Sequence, residues 1–234
     1  MKRLFLAIGF LTRLPVPRIE TTAADMAAAI RLYPVAGLVV GAPVVLAAAI
    51  GDAWIGALAA LVAWVAMTGA LHLDGLADVA DGLGAAHGDR ARLIAVMADP
   101  HIGSFGTVTL VVQLLAKLVL LHAVIAAGVP LWMLAAIPFA ARVGPLVWAR
   151  VLPALKPGLG AQVAAAVRAR DALGWAALLA AACVAMPWLA AAAPLIGAVA
   201  LWARVRLGGV SGDVHGAGIE LVETGLLGAW LLWG

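Results

Sequence analysis

Residues 172–206 read ALGWAALLAAACVAMPWLAAAAPLIGAVALWARVR. Whether this stretch crosses a membrane once or twice decides the topology of the whole chain. A helix needs about 20 residues to cross about 30 Å of hydrocarbon. The stretch is too long for one ordinary span and short for two, and Pro187 and Pro194 sit near its middle, where a tight turn fits. Positive charge resolves the choice. Taken with the other apolar runs, two spans here give seven in all, at about 33–50, 53–73, 104–127, 130–151, 172–187, 190–206 and 217–233. Of the 15 Lys and Arg residues, all but Lys117 and Arg142, which lie within spans, then fall on one side of the membrane. A single span would move Arg204 and Arg206 across and break that pattern. The basic side, with the N-terminus, is expected to be cytoplasmic.

Composition agrees with lipid as the solvent. Of 234 residues, 65% are hydrophobic and 12% charged, against roughly 25% charged in an average soluble domain. The mean hydropathy is +1.10. A soluble fold of this size could not hide so much apolar surface, which excludes a soluble enzyme, a disordered chain and a nucleic-acid-binding domain. The expected fold is all-α: one polytopic membrane bundle of about seven spans. Residues 1–32 read as an interfacial N-terminal segment, in which Met1-Lys2-Arg3 and the short run Leu4 to Leu11 imitate a signal peptide without a cleavage site. Trp54, Trp132, Trp188, Trp230 and Trp233 fall near the outer interface, and Trp148, Trp175 and Trp202 near the inner one, while Trp64 reads as packing. Cys183, the one cysteine, cannot form an intrachain disulfide.

Two polar connections, about 74–103 and 207–216, carry the chemistry. Of the 12 acidic residues, five are Asp74, Asp78, Asp81, Asp89 and Asp99. Asp74, Asp78 and Asp81, spaced i, i+4, i+7, project within roughly 60° of one helix face. Three carboxylates on one face repel each other unless a cation sits among them, and hard oxygen donors suit Mg²⁺ together with phosphate oxygens. Near the C-terminus Gly208-Gly209-Val210-Ser211-Gly212-Asp213-Val214-His215-Gly216 lets backbone amides approach a phosphate. Glu220 and Glu223 enter the last span, where carboxylates are costly. Ser104 opens the third span and is either an anion contact or an N-cap. Lys117 and Arg142 are charges within spans, each either functional or half of a buried ion pair. His72 and His215 adjoin the acidic motifs, as a base or ligand or as packing. Sidedness places both polar connections on one face, so their acids could share a site.

Several motifs, in order along nearly the whole chain, resemble the cobalamin synthase family. They are Phe10-Leu11-Thr12-Arg13-Leu14-Pro15-Val16-Pro17, His72-Leu73-Asp74-Gly75-Leu76-Ala77-Asp78 with Asp81-Gly82, Ile102-Gly103 to Gly106, Lys117, and Gly208-Gly209 through Gly212-Asp213 with Gly216-Ala217 and Glu220-Leu221. The resemblance implies an Mg²⁺-dependent membrane enzyme, adenosylcobinamide-GDP ribazoletransferase. It would join a GDP-activated corrinoid to α-ribazole or its 5′-phosphate and release GMP. Its partners would be those substrates and membrane lipid, with no nucleic acid, and the sequence leaves a homo-oligomer open. Asp99-Pro100-His101, Ser211 and His215 depart from the family pattern. On this reading Asp74, Asp78 and Asp213 hold the metal, and Asp81 is the general base, with Glu220 as the alternative base or a second-metal ligand. Gly209, Ser211, Gly212 and Ser104 contact phosphate, and Lys117 and Glu223 have no fixed role. A phosphotransferase acting on CDP-linked alcohols is the nearest rival, but Asp78 stands where its usual motif has arginine. A divalent-cation transporter would want its acids nearer mid-bilayer.

Overall fold

In lipid every backbone N–H and C=O must be paired within the protein, and helices do this locally. The computed structural model describes residues 1–156 and 159–233, and these residues are helical apart from turns, loops and one short parallel bridge between Ala154 and Val210. In chain order the helices are α1 (Lys2–Leu11), α2 (Ala23–Ala29), α3 (Tyr33–Ala48), α4 (Ala53–Thr68), α5 (Leu71–Ala86), α6 (Arg90–Val96) and α7 (Ser104–Ala126). They continue with α8 (Ala136–Ala141), α9 (Gly144–Val151), α10 (Leu159–Ala166), α11 (Ala169–Ala185), α12 (Ala192–Trp202) and α13 (Gly212–Trp233). α13 runs through the middle of the bundle, packed on α5, α7, α8, α9 and α12.

The stretch that set the topology does divide in two. Met186 is extended (φ −134°, ψ 77°), as a residue before proline prefers, and Pro187 opens a short 3₁₀ turn that leads into α12. All seven expected segments contain helix, but among the described residues only four helical stretches are long and apolar enough to cross a membrane: Ala23–Ala48, Ser104–Ala126, Leu131–Val151 and Pro187–Leu207. The pair α4 and α5, bent by 85°, makes a fifth if counted as one span. The seven-span count is therefore not reached on length and composition. α11 has 17 residues, and α13 carries Asp213, Glu220 and Glu223. The first span also begins earlier than residue 33. Thr22 and Asp25 form a reciprocal capping box, and the 3₁₀ turn Ile30–Leu32 joins α2 to α3 without a break.

α7 shows how this chain inverts the soluble pattern. Its outward residues Val108, Val111, Val112, Leu115 and Val119 are all more than half exposed, while Gln113 and Lys117 are buried. In water that arrangement would be costly; against lipid tails the apolar face is the correct exterior. The tryptophans divide differently from the expected belt. Trp54, Trp132 and Trp233 are exposed, but Trp148, Trp188 and Trp230 are buried. Trp188 and Trp230 stack with ring centroids 4.6 Å apart, and the Trp148 indole donates to the Ile196 carbonyl at 2.9 Å. Buried in this way, the wide rings fill gaps between Ala-rich helices.

An elbow positions the acidic helix. Gly69 and Ala70 both adopt left-handed backbone, with φ of 59° and 62°, which ends α4 and turns α5 aside. From this elbow on we read α5 as lying outside the spanning segments. Further along, Asp81 fastens α5 to the start of α7. Its two carboxylate oxygens accept the Gly103 N–H at 2.7 Å and the Gly106 N–H at 2.9 Å, which satisfies two donors that a helix start leaves unpaired. Asp81→Ala is expected to cost about 1–3 kcal/mol, read as a lower thermal midpoint of the detergent-solubilised protein. An unchanged midpoint would show that water or a neighbour replaces the carboxylate.

Candidate active site

The two polar stretches of the sequence, more than a hundred positions apart, meet where α5 crosses the start of α13. Gly75 makes the crossing. A Cβ there would lie 2.7 Å from the Asp213 carbonyl oxygen and 2.8 Å from its Cα, so only a hydrogen fits between the helices. Gly216 faces His72 from the other side, where a Cβ would come within 3.2 Å of the His72 Cα. This close approach sets Asp74 and Asp78, one turn apart on α5, beside Asp213 in the first turn of α13. Gly75→Val is expected to push the helices apart, reducing turnover at least tenfold and costing roughly 1–3 kcal/mol. Parallel measurement of turnover and thermal midpoint checks both effects.

A cleft of about 300 Å³ opens at this crossing. One wall is polar: Asp74, Lys156, Ser211, Gly212, Asp213 and the two histidines His72 and His215. The opposite wall is apolar and comes from the N-terminal segment, with Phe10, Leu11, Ile30 and Tyr33. The Phe10 and Tyr33 rings stack at 6.1 Å between centroids. Electrostatically the carboxylates crowd one another. Partial burial, and after it the neighbouring Asp74, Asp213 and Asp81, push Asp78 up to about 6, opposed only by Lys156. A carboxyl that resists ionisation in this way is one that a nearby cation relieves. Among the described residues, however, no three His, Cys, Asp or Glu side chains converge as a complete protein-built metal cage. The donor set instead suits Mg²⁺, which commonly takes one or two carboxylates and completes its shell with water and phosphate oxygens.

The remaining candidates divide. Ser211 and Gly212 line the cleft. The Ser211 hydroxyl accepts from the Val214 N–H at 3.3 Å and donates to Asp213 at 3.2 Å, so it both caps α13 and steadies the carboxylate. Gly209 does not offer its amide to the cleft but packs against Pro153. The Val210 N–H bonds the Pro153 carbonyl at 2.9 Å, and the Leu155 N–H bonds the Val210 carbonyl at 2.9 Å. Its service is indirect, because this bridge carries Lys156 to the cleft. Ser104 is exposed and does not line the cleft, and the helix start it was expected to offer to an anion already holds the Asp81 carboxylate. For the same reason Asp81 is poorly placed as a general base, with both oxygens engaged by N–H donors.

Glu220 is no better placed as a base. It is buried and paired with Lys117 at 2.7 Å, and its carboxylate accepts from the Gln113 amide at 2.9 Å. Lys117 also meets Glu223 at 2.6 Å, and Glu223 meets Arg142 at 2.8 Å. The Lys117 ammonium lies 4.6 Å from the Trp64 ring centroid. Lys117, Glu220, Glu223 and Arg142 thus form one buried network of two cations and two anions between α7, α8 and α13. Of the readings left open for Lys117 and Arg142, the structure selects the ion pair. The network reaches the cleft through His72, whose Nδ1 lies 3.4 Å from Arg142 Nη2.

Lys156 and the Phe10–Tyr33 wall were not assigned to the site from the sequence. Lys156 had one signal, as a cation in the connection after the fourth span, on the same side as the acids. The aromatic wall had none beyond its motif, because nothing local shows that the first helices fold back over α5.

The fold and cleft together define a helical membrane protein with an acidic cleft where α5 crosses the start of α13. The model of the cobalamin-5-phosphate synthase family matches residues 3–231, and the chain belongs to that family. It is 52% identical to the adenosylcobinamide-GDP ribazoletransferase of Novosphingobium aromaticivorans, over 97% of this chain and 95% of the relative. It is 50% identical to the protein of the same name from Thiobacillus denitrificans, over 97% and 94%, and 49% identical to that from Laribacter hongkongensis, over 97% and 95%. No solved structure matches the chain.

Proposed function

We propose that the chain is an adenosylcobinamide-GDP ribazoletransferase acting at the cytoplasmic face of a bacterial inner membrane. A ribose hydroxyl of α-ribazole, or of its 5′-phosphate, attacks the pyrophosphate phosphorus nearer the corrinoid. A new P–O ester forms there, the bond to GMP breaks, and the hydroxyl proton leaves to a carboxylate. The observation that carries this reading is the meeting of Asp74 and Asp213 in one cleft that also holds Lys156 and an apolar wall, with Asp78 close enough to feel the charge of both carboxylates.

Phosphoryl transfer needs positioning and charge neutralisation more than a protein nucleophile. One or two of Asp74, Asp78 and Asp213 would hold Mg²⁺, which supplies neutralisation of the pyrophosphate charge when bound. Lys156 adds a second positive charge at the same cleft, and Gly212, at the positive end of the α13 dipole, faces the departing phosphate. With Asp81 and Glu220 engaged elsewhere, the proton acceptor falls to the Asp74, Asp78 and Asp213 group. The Phe10, Leu11, Ile30 and Tyr33 wall offers apolar surface for the bulky substrate rings. The basic connections on the side of the cleft support a cytoplasmic orientation.

The test is a reconstituted assay with GDP-activated cobinamide, α-ribazole and Mg²⁺, following GMP release. EDTA should abolish release and added Mg²⁺ restore it. Equal release with EDTA present would remove the metal from the proposal. No release under any condition would remove the activity itself.

A further inference from the structure

On the far side of the Ile30–Leu32 turn from the cleft is a second, larger depression of about 530 Å³. Ile30 and Tyr33 face the cleft; Arg31 and Leu32 face this groove, together with Arg3, Arg168, Arg170, Asp171 and Trp175. Four guanidinium groups gather from three separate stretches of chain against one carboxylate. Asp171 is already shared, with Arg168 on it at 2.7 Å and Arg31 at 3.4 Å. Arg31 is also spent in part on the Ala166 carbonyl, to which its Nε donates at 2.7 Å, capping the end of α10. Arg3 and Arg170 are exposed and have no acidic partner among the described residues. Like charges collected into a concave site without enough counter-charge cost free energy unless an anion fills it.

The groove is also amphipathic. Leu32 and Leu178 lie beside the arginines, and Leu178 is about half exposed. α11 leads away from the groove with Leu179 as its buried residue and Leu173, Leu178 and Val184 exposed, so an acyl chain could lie along it. Trp175 sits at the junction and holds it rigid, its indole donating to the Arg31 carbonyl at 2.7 Å. A tryptophan between a charged rim and an apolar flank marks headgroup depth.

We propose that this groove binds the headgroup of an anionic phospholipid, with its phosphate on Arg3 and Arg170 and its acyl chains along α11. The lipid would brace the Ile30–Leu32 turn from behind, and so steady the apolar wall of the cleft. That consequence rests on the function proposed above; the binding does not. A free phosphate or pyrophosphate shares the headgroup's charge, and the experiment separates the two.

The full chain is purified and placed in phosphatidylcholine nanodiscs containing graded cardiolipin or phosphatidylglycerol. Lipid retention by native mass spectrometry and the thermal midpoint are then followed. The wild type should retain anionic lipid in preference to phosphatidylcholine, with a rising midpoint. Arg3→Gln with Arg170→Gln should weaken that retention by more than about tenfold, and Arg170→Gln alone by less. Both variants should keep wild-type turnover in neutral lipid, which shows that they fold. Arg204→Gln with Arg206→Gln removes the same charge elsewhere and should leave retention unchanged. Equal losses in the two double variants would reduce the effect to general surface charge and overturn the site, as would no loss at Arg3 and Arg170. Displacement of the lipid by millimolar pyrophosphate, with the same stabilisation in its absence, would assign the groove to a soluble anion.

Discussion

Asp74→Asn and Asp213→Asn are each expected to lower turnover by two to three orders of magnitude while leaving membrane insertion and thermal midpoint nearly unchanged. The change removes a charge and keeps the shape. Both carboxylates line an open cleft, and neither joins the buried ion-pair network, so the folded chain loses little. On the proposed function, what is lost is charge complementarity to the metal and pyrophosphate that the cleft would bind. Removing one well-placed electrostatic partner from a phosphoryl- or acyl-transfer site typically costs that much. GMP release across a range of Mg²⁺ concentrations provides the measurement. A variant rescued by raised Mg²⁺ has lost affinity for the ion. One that stays inactive at every concentration has lost a group the transition state needs. Full activity in both variants would show that the cleft does not use these carboxylates.

The second large effect concerns stability. Glu223→Gln should destabilise the protein by about 3–5 kcal/mol, because it leaves two cations facing one anion with no water to share the charge. Glu223 and Arg142 are fully buried and Lys117 nearly so. The companion Lys117→Met with Glu220→Gln removes one charge of each sign and leaves the pair Arg142–Glu223, so it should cost much less than the single change. Thermal unfolding of both proteins in detergent checks the order. If the single variant is as stable as the double one, the network is not what holds α7, α8 and α13 together.

The helices were legible in the sequence because apolar run length and charge sidedness are local or additive signals. Pro187 was readable as a break, and the aspartates of α5 as a shared face. Partnerships across the chain were not readable. Glu223 pairs with Lys117 from 106 positions away and with Arg142 from 81, and no spacing rule connects them. Asp81 looked catalytic because it continued the Asp74, Asp78 face, yet its neighbours are N–H groups of Gly103 and Gly106, 22 and 25 positions on. The same periodicity that gathers carboxylates on a face also runs that face past the end of the cleft and onto the next helix. Gly209 misled for a related reason: a flexible residue beside a phosphate motif can serve by fitting against another strand of chain, as it does at Pro153. Where the first span begins was obscured because Arg31 lies inside it, a charge that reaches out of the helix to the end of α10.

The central network also bears on how the polypeptide is made. Synthesis proceeds from the N-terminus, so Lys117 and Arg142 leave the ribosome well before Glu220 and Glu223 exist. Until the final helix is complete, the lone cation on α7 has no neutralising partner in the finished arrangement, and lodging it in hydrocarbon alone is unfavourable. Charge balance among the middle helices is therefore completed only by the last one. A nascent chain that stops short of it would present the cell's quality-control proteases with two uncompensated charges at the heart of an unfinished bundle.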